Sequence, residues 1–101
     1  WIKRLMIEEG DNLKVEEVIA EVAKLSKQFG ATEIILYGSR AKGCARERSD
    51  IDIAISGVKD FDTLVDKVEN LPTLYSVDLL DIDRCKNQLL LEDIKQYGRK
   101  I

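Results

Sequence analysis

The chain has 101 residues, 45% hydrophobic and 35% charged, with one Pro and six Gly, the size and make-up of a single globular domain spanning 1–101. Its 16 Lys and Arg face 19 Asp and Glu, a formal net charge of −3, and there is no His. Ser/His and Cys/His nucleophilic pairs, His-bound zinc and any imidazole base are thereby excluded.

In chain order, Val15, Val18, Ile19, Val22 and Phe29 recur at helical spacing and predict an amphipathic helix over 13–29, stopped by Gly30. Residues 32–37 (TEIILY) are β-branched and apolar and read as a buried strand broken by Gly38. Residues 50–56 (DIDIAIS) alternate strictly, with Ile51, Ile53 and Ile55 on one face and Asp50, Asp52 and Ala54 on the other. A second helix is expected from Phe61, Leu64, Val65, Val68 and Leu71, capped by Asp60 and ended before Pro72. A third strand follows at 76–82 (SVDLLDI). The last helix spans 86–97, with Leu89, Leu90 and Ile94 inward and Gly98 closing it. Lys59, Lys67, Lys95, Arg99 and Lys100 are expected on solvated helix faces and the tail. The order predicts an α/β (α+β) fold, a small mixed central sheet of three or more strands flanked by helices.

Cys44 and Cys85 lie too far apart in sequence for a zinc or Cys-x-x-Cys pattern and read as free thiols in a reducing cytosol. No apolar run approaches a membrane span and no signal-peptide pattern opens the chain, so a soluble cytoplasmic protein is expected. The sequence opens on Trp1 in place of Met, and residues ahead of it are expected.

The second strand's polar face carries the chemistry. Asp50 and Asp52, two residues apart, lie about 6 to 7 Å from one another along the chain. Asp78 stands in the third strand among Val77, Leu79 and Leu80, where a carboxylate is costly without a positive partner. The three predicted strands contain no Lys or Arg. If the second and third strands pair, three carboxylates meet without a counter-ion, a set of hard oxygen donors that suits Mg²⁺ or Mn²⁺. Taken alone, an Asp-x-Asp alternation fits an ordinary half-exposed strand equally well.

The preceding turn, GSRAKG, weighs for a site. It leaves a buried strand at Gly38 and offers Ser39 as the cap of a short helix, aiming N–H groups and a hydroxyl at an anion. Arg40 and Lys42 can neutralise outer phosphate charge, and Gly43 lets the chain turn out again. Arg40, Lys42, Arg46 and Arg48 against Glu47 form a compact basic loop in an acidic protein. Such a loop suits a triphosphate and disfavours duplex nucleic acid.

Gly38-Ser39, ten residues, then Asp50-Ile51-Asp52 and a later strand aspartate resemble the signature of the DNA polymerase β-type nucleotidyltransferase superfamily. More narrowly, LYGSRAKGCARERSDIDIAIS followed by SVDLLDID is similar to the minimal nucleotidyltransferase (MNT) domain proteins that pair with HEPN-domain proteins. The resemblance implies a polymerase β-like fold, with Gly38 and Ser39 holding the β and γ phosphates. Asp50 and Asp52 would ligate two Mg²⁺ or Mn²⁺ ions, and Asp78 would be the third carboxylate. It further implies AMP transfer from ATP to an acceptor hydroxyl with release of pyrophosphate, within a HEPN/MNT toxin–antitoxin pair. The stretch holding Cys44, Arg46, Glu47 and Arg48 is not carried over.

Within these 101 residues, nothing beyond the core unit is expected to be long enough to grip base and acceptor. A partner protein of HEPN type, or a second copy forming a homo-oligomer, is therefore expected over the open sheet face. A non-catalytic, nucleotide-binding antitoxin or adaptor that occludes its partner is the alternative.

Overall fold

The computed structural model describes residues 14–43 and 50–101. The expectations for Trp1, Leu13, Cys44, Arg46, Glu47 and Arg48 lie outside those residues.

Helix α1 (Val15–Gln28) sets Val18, Val22 and Ser26 at four-residue spacing on one fully buried stripe, the spacing at which helical side chains stack on one face. The backbone N–H of Lys14 donates to Glu17 at 3.2 Å and ties down the first turn. Ser26 keeps its buried hydroxyl paired by donating to the Val22 carbonyl at 2.7 Å, so burying it leaves no orphaned polar atom.

Then come β1 (Glu33–Tyr37), the single-turn helix α2 (Ser39–Lys42), β2 (Ile51–Ser56), α3 (Phe61–Glu69) and β3 (Val77–Asp81). A 3₁₀ turn at Ile82–Arg84 leads to α4 (Gln88–Tyr97) and β4 (Arg99–Lys100). Asp60 caps α3 as expected, accepting from the Thr63 N–H at 3.3 Å and its hydroxyl at 2.7 Å. Asn87 caps α4 by accepting from the Leu90 N–H at 3.2 Å.

The strands form one mixed sheet in the order β3-β2-β1-β4, with β1 antiparallel to β2 and β4, and β2 parallel to β3. A parallel pair needs a crossover, which α3 supplies. On one face Ile34, Leu36, Ile51, Ile53 and Ile55 pack under α1 and α3. The three β2 isoleucines are at most 1% exposed, and such burial stabilises by about 1.5–3 kcal/mol per side chain. On the other face Ile94 of α4 packs on Ile35 and Ala54, with Tyr37, Leu80, Ile82 and Leu90 around them. Alternation puts Asp50, Asp52 and Asp78 on this second face.

Several details of these elements differ from the sequence reading. Ile82 leaves the third strand and enters the 3₁₀ turn. Leu89 is not inward: it is 80% exposed, while Leu90 is half-buried and Ile94 buried. Three consecutive leucines offer three possible faces, and packing on Ile35 selects the one holding Ile94. Arg99 and Lys100 are not a loose tail but a short edge strand paired with Leu36 and Ile35. Gly98 does close α4, yet with φ −68° rather than a left-handed turn. Glycine is needed there for close approach, because a Cβ would collide with the Ile94 carbonyl and the Ile35 side chain.

Candidate active site

Three side chains form a row across the second face. Tyr37 in β1 is the register partner of Asp52 in β2, and Asp52 is the register partner of Asp78 in β3. Neighbouring strands run about 4.8 Å apart, so the Asp52 and Asp78 carboxylates are neighbours across the parallel pair. Asp50 lies just before β2 and is exposed.

Burial of Asp52 is not as sequence reasoning had it. Asp78 is exposed on the sheet's edge strand, and Asp52, one strand further in, is half-buried. The desolvation expected at Asp78 therefore falls on Asp52. Burial pushes the Asp52 carboxyl above its ordinary range, and the negative charges of Asp78 and then Asp50 push it further the same way. The same field reaches Tyr37, whose hydroxyl is pushed up to about 12 by burial first, then by Asp52, Asp78 and Cys85. Tyr37 is a neutral hydrogen-bond donor at physiological pH.

Gly38 connects this row to the turn that follows β1. Its φ is +75° and ψ −155°, a conformation open to glycine and strained for other residues. A Cβ built there would run into the carboxylate of Asp52, so the turn backbone rests directly on that side chain. Gly38 caps α2, and Ser39 is its first helical residue rather than the cap expected from sequence. Gly43, left-handed at φ +77°, ends the helix as expected.

The two cations of α2 point to opposite supports. Arg40 lies over the Tyr75 ring, 5.2 Å from its centroid. Lys42 reaches α4, where its Nζ is 3.0 Å from Asp93 Oδ1 and 5.0 Å from the centroid of the Tyr97 ring. Tyr75 and Asp93 have no signature as site neighbours in the sequence, where Tyr37 and Tyr97 read as packing residues. The one sequence signal linking Asp93 and Tyr97 is their i, i+4 spacing, which stacks an acid and an aromatic ring on one helix face. At the far end of β2, Asp83 accepts from the Ser56 hydroxyl at 2.7 Å and the Gly57 N–H at 2.8 Å, and these bonds hold its carboxyl below the ordinary range.

As donors, Asp50, Asp52 and Asp78 offer hard oxygens alone and carry charge that raises the protonation of their innermost member. That is the chemistry of a Mg²⁺ or Mn²⁺ site rather than a zinc or copper one. Among the described residues no three Cys, Asp or Glu side chains already close around an ion-sized space. Among the described residues, no helix is long and apolar enough to cross a membrane.

A mixed sheet carrying an Asp-x-Asp strand beside a Gly-Ser turn is the arrangement expected of a nucleotidyltransferase fold. The polymerase beta nucleotidyltransferase family model matches residues 17–101, and the chain belongs to that family. It is similar to the "Putative protein adenylyltransferase MJ0604" of Methanocaldococcus jannaschii (strain ATCC 43067 / DSM 2661 / JAL-1 / JCM 10045 / NBRC 100440), at 49% identity over 45 residues. That match spans 45% of this chain and 45% of the relative, less than half of either. Among solved structures it resembles a toxin–antitoxin crystallised with AMP-PNP, with TM-score 0.61 and 22% identity over 81% of this chain and 70% of that one. A variant of the MntA-HpeT toxin–antitoxin gives TM-score 0.63 and 24% identity over 81% of this chain and 69% of that one. These likenesses establish the polymerase β-like fold.

Proposed function

We propose that this chain transfers AMP from ATP to an acceptor hydroxyl with release of pyrophosphate, as the antitoxin of a HEPN/MNT pair that modifies its partner. The observation that carries the reading is that Asp52, in register with Asp78, lies against the Gly38 turn. It sets acidic side chains beside the turn that this reading assigns to phosphate. Family membership supports the reaction class. The relative named as an adenylyltransferase supports AMP as the group moved, and the fold neighbours, toxin–antitoxins with AMP-PNP in one case, support the setting.

In this reading the Gly38–Ser39 backbone and the Ser39 hydroxyl hold the β and γ phosphates, and Arg40 and Lys42 neutralise their outer charge. Asp50, Asp52 and Asp78 would hold the divalent cations, which when bound neutralise the triphosphate and make the acceptor hydroxyl and departing pyrophosphate more acidic. Asp78, the most solvent-accessible member of the row, accepts the proton of the acceptor hydroxyl. The acceptor oxygen forms a bond to the α-phosphorus as the bond from that phosphorus to the bridging oxygen of pyrophosphate breaks. Tyr37, held neutral, stays a hydrogen-bond donor beside the carboxylates. An acceptor protein of HEPN type, or a second copy of the chain, covers the open face.

The test is transfer of label from α-labelled ATP, with Mg²⁺, to a candidate HEPN partner. The wild type labels the partner, and the double variant Asp50→Asn plus Asp52→Asn does not. Equal labelling by both contradicts the reading, and tight partner binding without any labelling favours the occluding adaptor.

A further inference from the structure

Lys42 does not stand alone beside the proposed phosphate site; it is tied to α4. Its ammonium is 3.0 Å from Asp93 Oδ1 and lies 5.0 Å over the Tyr97 ring. Asp93 and Tyr97 are one helical turn apart, so both face α2 together. The remaining side of α4 is fixed to the sheet by Ile94, buried against Ile35 and Ala54. The lysine is thus held by a rigidly mounted acid and ring, on the same short helix that begins at Gly38 and Ser39.

An arriving triphosphate and the Asp93 carboxylate seek the same ammonium. The Lys42 and Asp93 side chains are 38% and 32% exposed. Their attraction is consequently modest and screened, weak enough for a multiply charged anion to overcome.

We infer that Asp93 is a positioning residue that restrains Lys42 against Tyr97, so that α4 tunes how strongly the Gly38–Lys42 turn grips a triphosphate. The inference rests on the functional reading above, which makes Lys42 a phosphate contact. On binding, Lys42 is drawn from Asp93 toward the phosphates, and α4 loses one of its ties to α2. Nucleotide occupancy is therefore felt on α4, along the face where the exposed Leu89 stands one turn before Asp93.

The test is a double-variant cycle read by calorimetric binding of two probes, Mg²⁺-ATP and inorganic tripolyphosphate, to the full chain. Asp93→Asn is expected to tighten both probes about two- to fivefold, as befits an exposed ion pair released. Lys42→Ala is expected to weaken both about tenfold, as befits a lost charge-assisted contact. In the Lys42→Ala background, Asp93→Asn is expected to change nothing, and Asp93→Glu in the intact background is expected to restore wild-type affinity. Tightening of equal size in both backgrounds shows general charge repulsion instead and overturns the inference, as does an unchanged or weaker affinity in Asp93→Asn alone. If the cycle holds for both probes while no AMP is transferred, the catalytic reading fails and the inference stands. If the wild type binds neither probe, both fail.

Discussion

The α-carbon of Gly38 packs against the carboxylate of Asp52, so tightly that no Cβ fits between them. Two motifs separated by more than ten residues of sequence are thereby one object: the turn that would hold phosphate rests on the side chain that would hold metal. The contact joins the end of β1 to β2 where Tyr37 and Asp52 pair, and it makes the geometry of one sensitive to substitution in the other.

Gly38→Ala strikes that contact twice. It forces an L-residue to φ +75° and pushes a methyl group into Asp52. A loss of about 1–3 kcal/mol in stability is expected, with ATP binding lost even at temperatures where the variant stays folded. Denaturant unfolding and calorimetry check the two parts separately.

Asp52→Asn should stabilise the metal-free protein at neutral pH. The carboxyl is raised above 3.8 by burial, Asp78 and Asp50, so between 3.8 and the folded value the native state holds the proton more firmly than the unfolded chain. Stability therefore falls as pH rises through that window, and the deficit persists above it. The isosteric amide removes the deficit, a gain of about 1 kcal/mol or less because solvent screens a half-buried group. The variant's gain in urea midpoint over the wild type should be larger at pH 7 than at pH 4. Added Mg²⁺ should reverse the ranking, since the cation rewards the charged form.

Asp83 works in the opposite sense. Its carboxyl is lowered by the bonds from Gly57 and Ser56, so it contributes stability above 3.8 that is lost as pH falls through the folded value. Asp83→Ala should lower the melting temperature at pH 7 and flatten the acid limb of the stability curve. It frees the β2 end from the 3₁₀ turn and leaves the Asp50–Asp52–Asp78 face untouched. A melting series from pH 2 to pH 7 decides it.

Much of this was legible in the chain itself. DIDIAIS declares its faces because alternation puts three isoleucines in the core and the aspartates opposite, and Asp60 announces the start of α3. Edge effects were not legible. Asp78 reads as buried among leucines, yet β3 is an edge strand and leaves it exposed. Arg99 and Lys100 have no strand signature and pair with β1 because α4 and the close approach at Gly98 deliver them there. Likewise Lys42 reads as a free-standing cation in a basic loop. Its carboxylate partner lies fifty-one positions away, a distance over which spacing carries no signal.

The central claim is that Asp50, Asp52 and Asp78 share divalent cations brought in with a nucleotide. Mn²⁺ binding followed by electron paramagnetic resonance, with a non-hydrolysable ATP analogue present, tests it most directly. The account predicts that wild-type protein removes Mn²⁺ from the free pool beyond what the analogue alone removes, and that Asp52→Asn and Asp78→Asn abolish the excess while remaining folded. Equal uptake by wild type and both variants would contradict it.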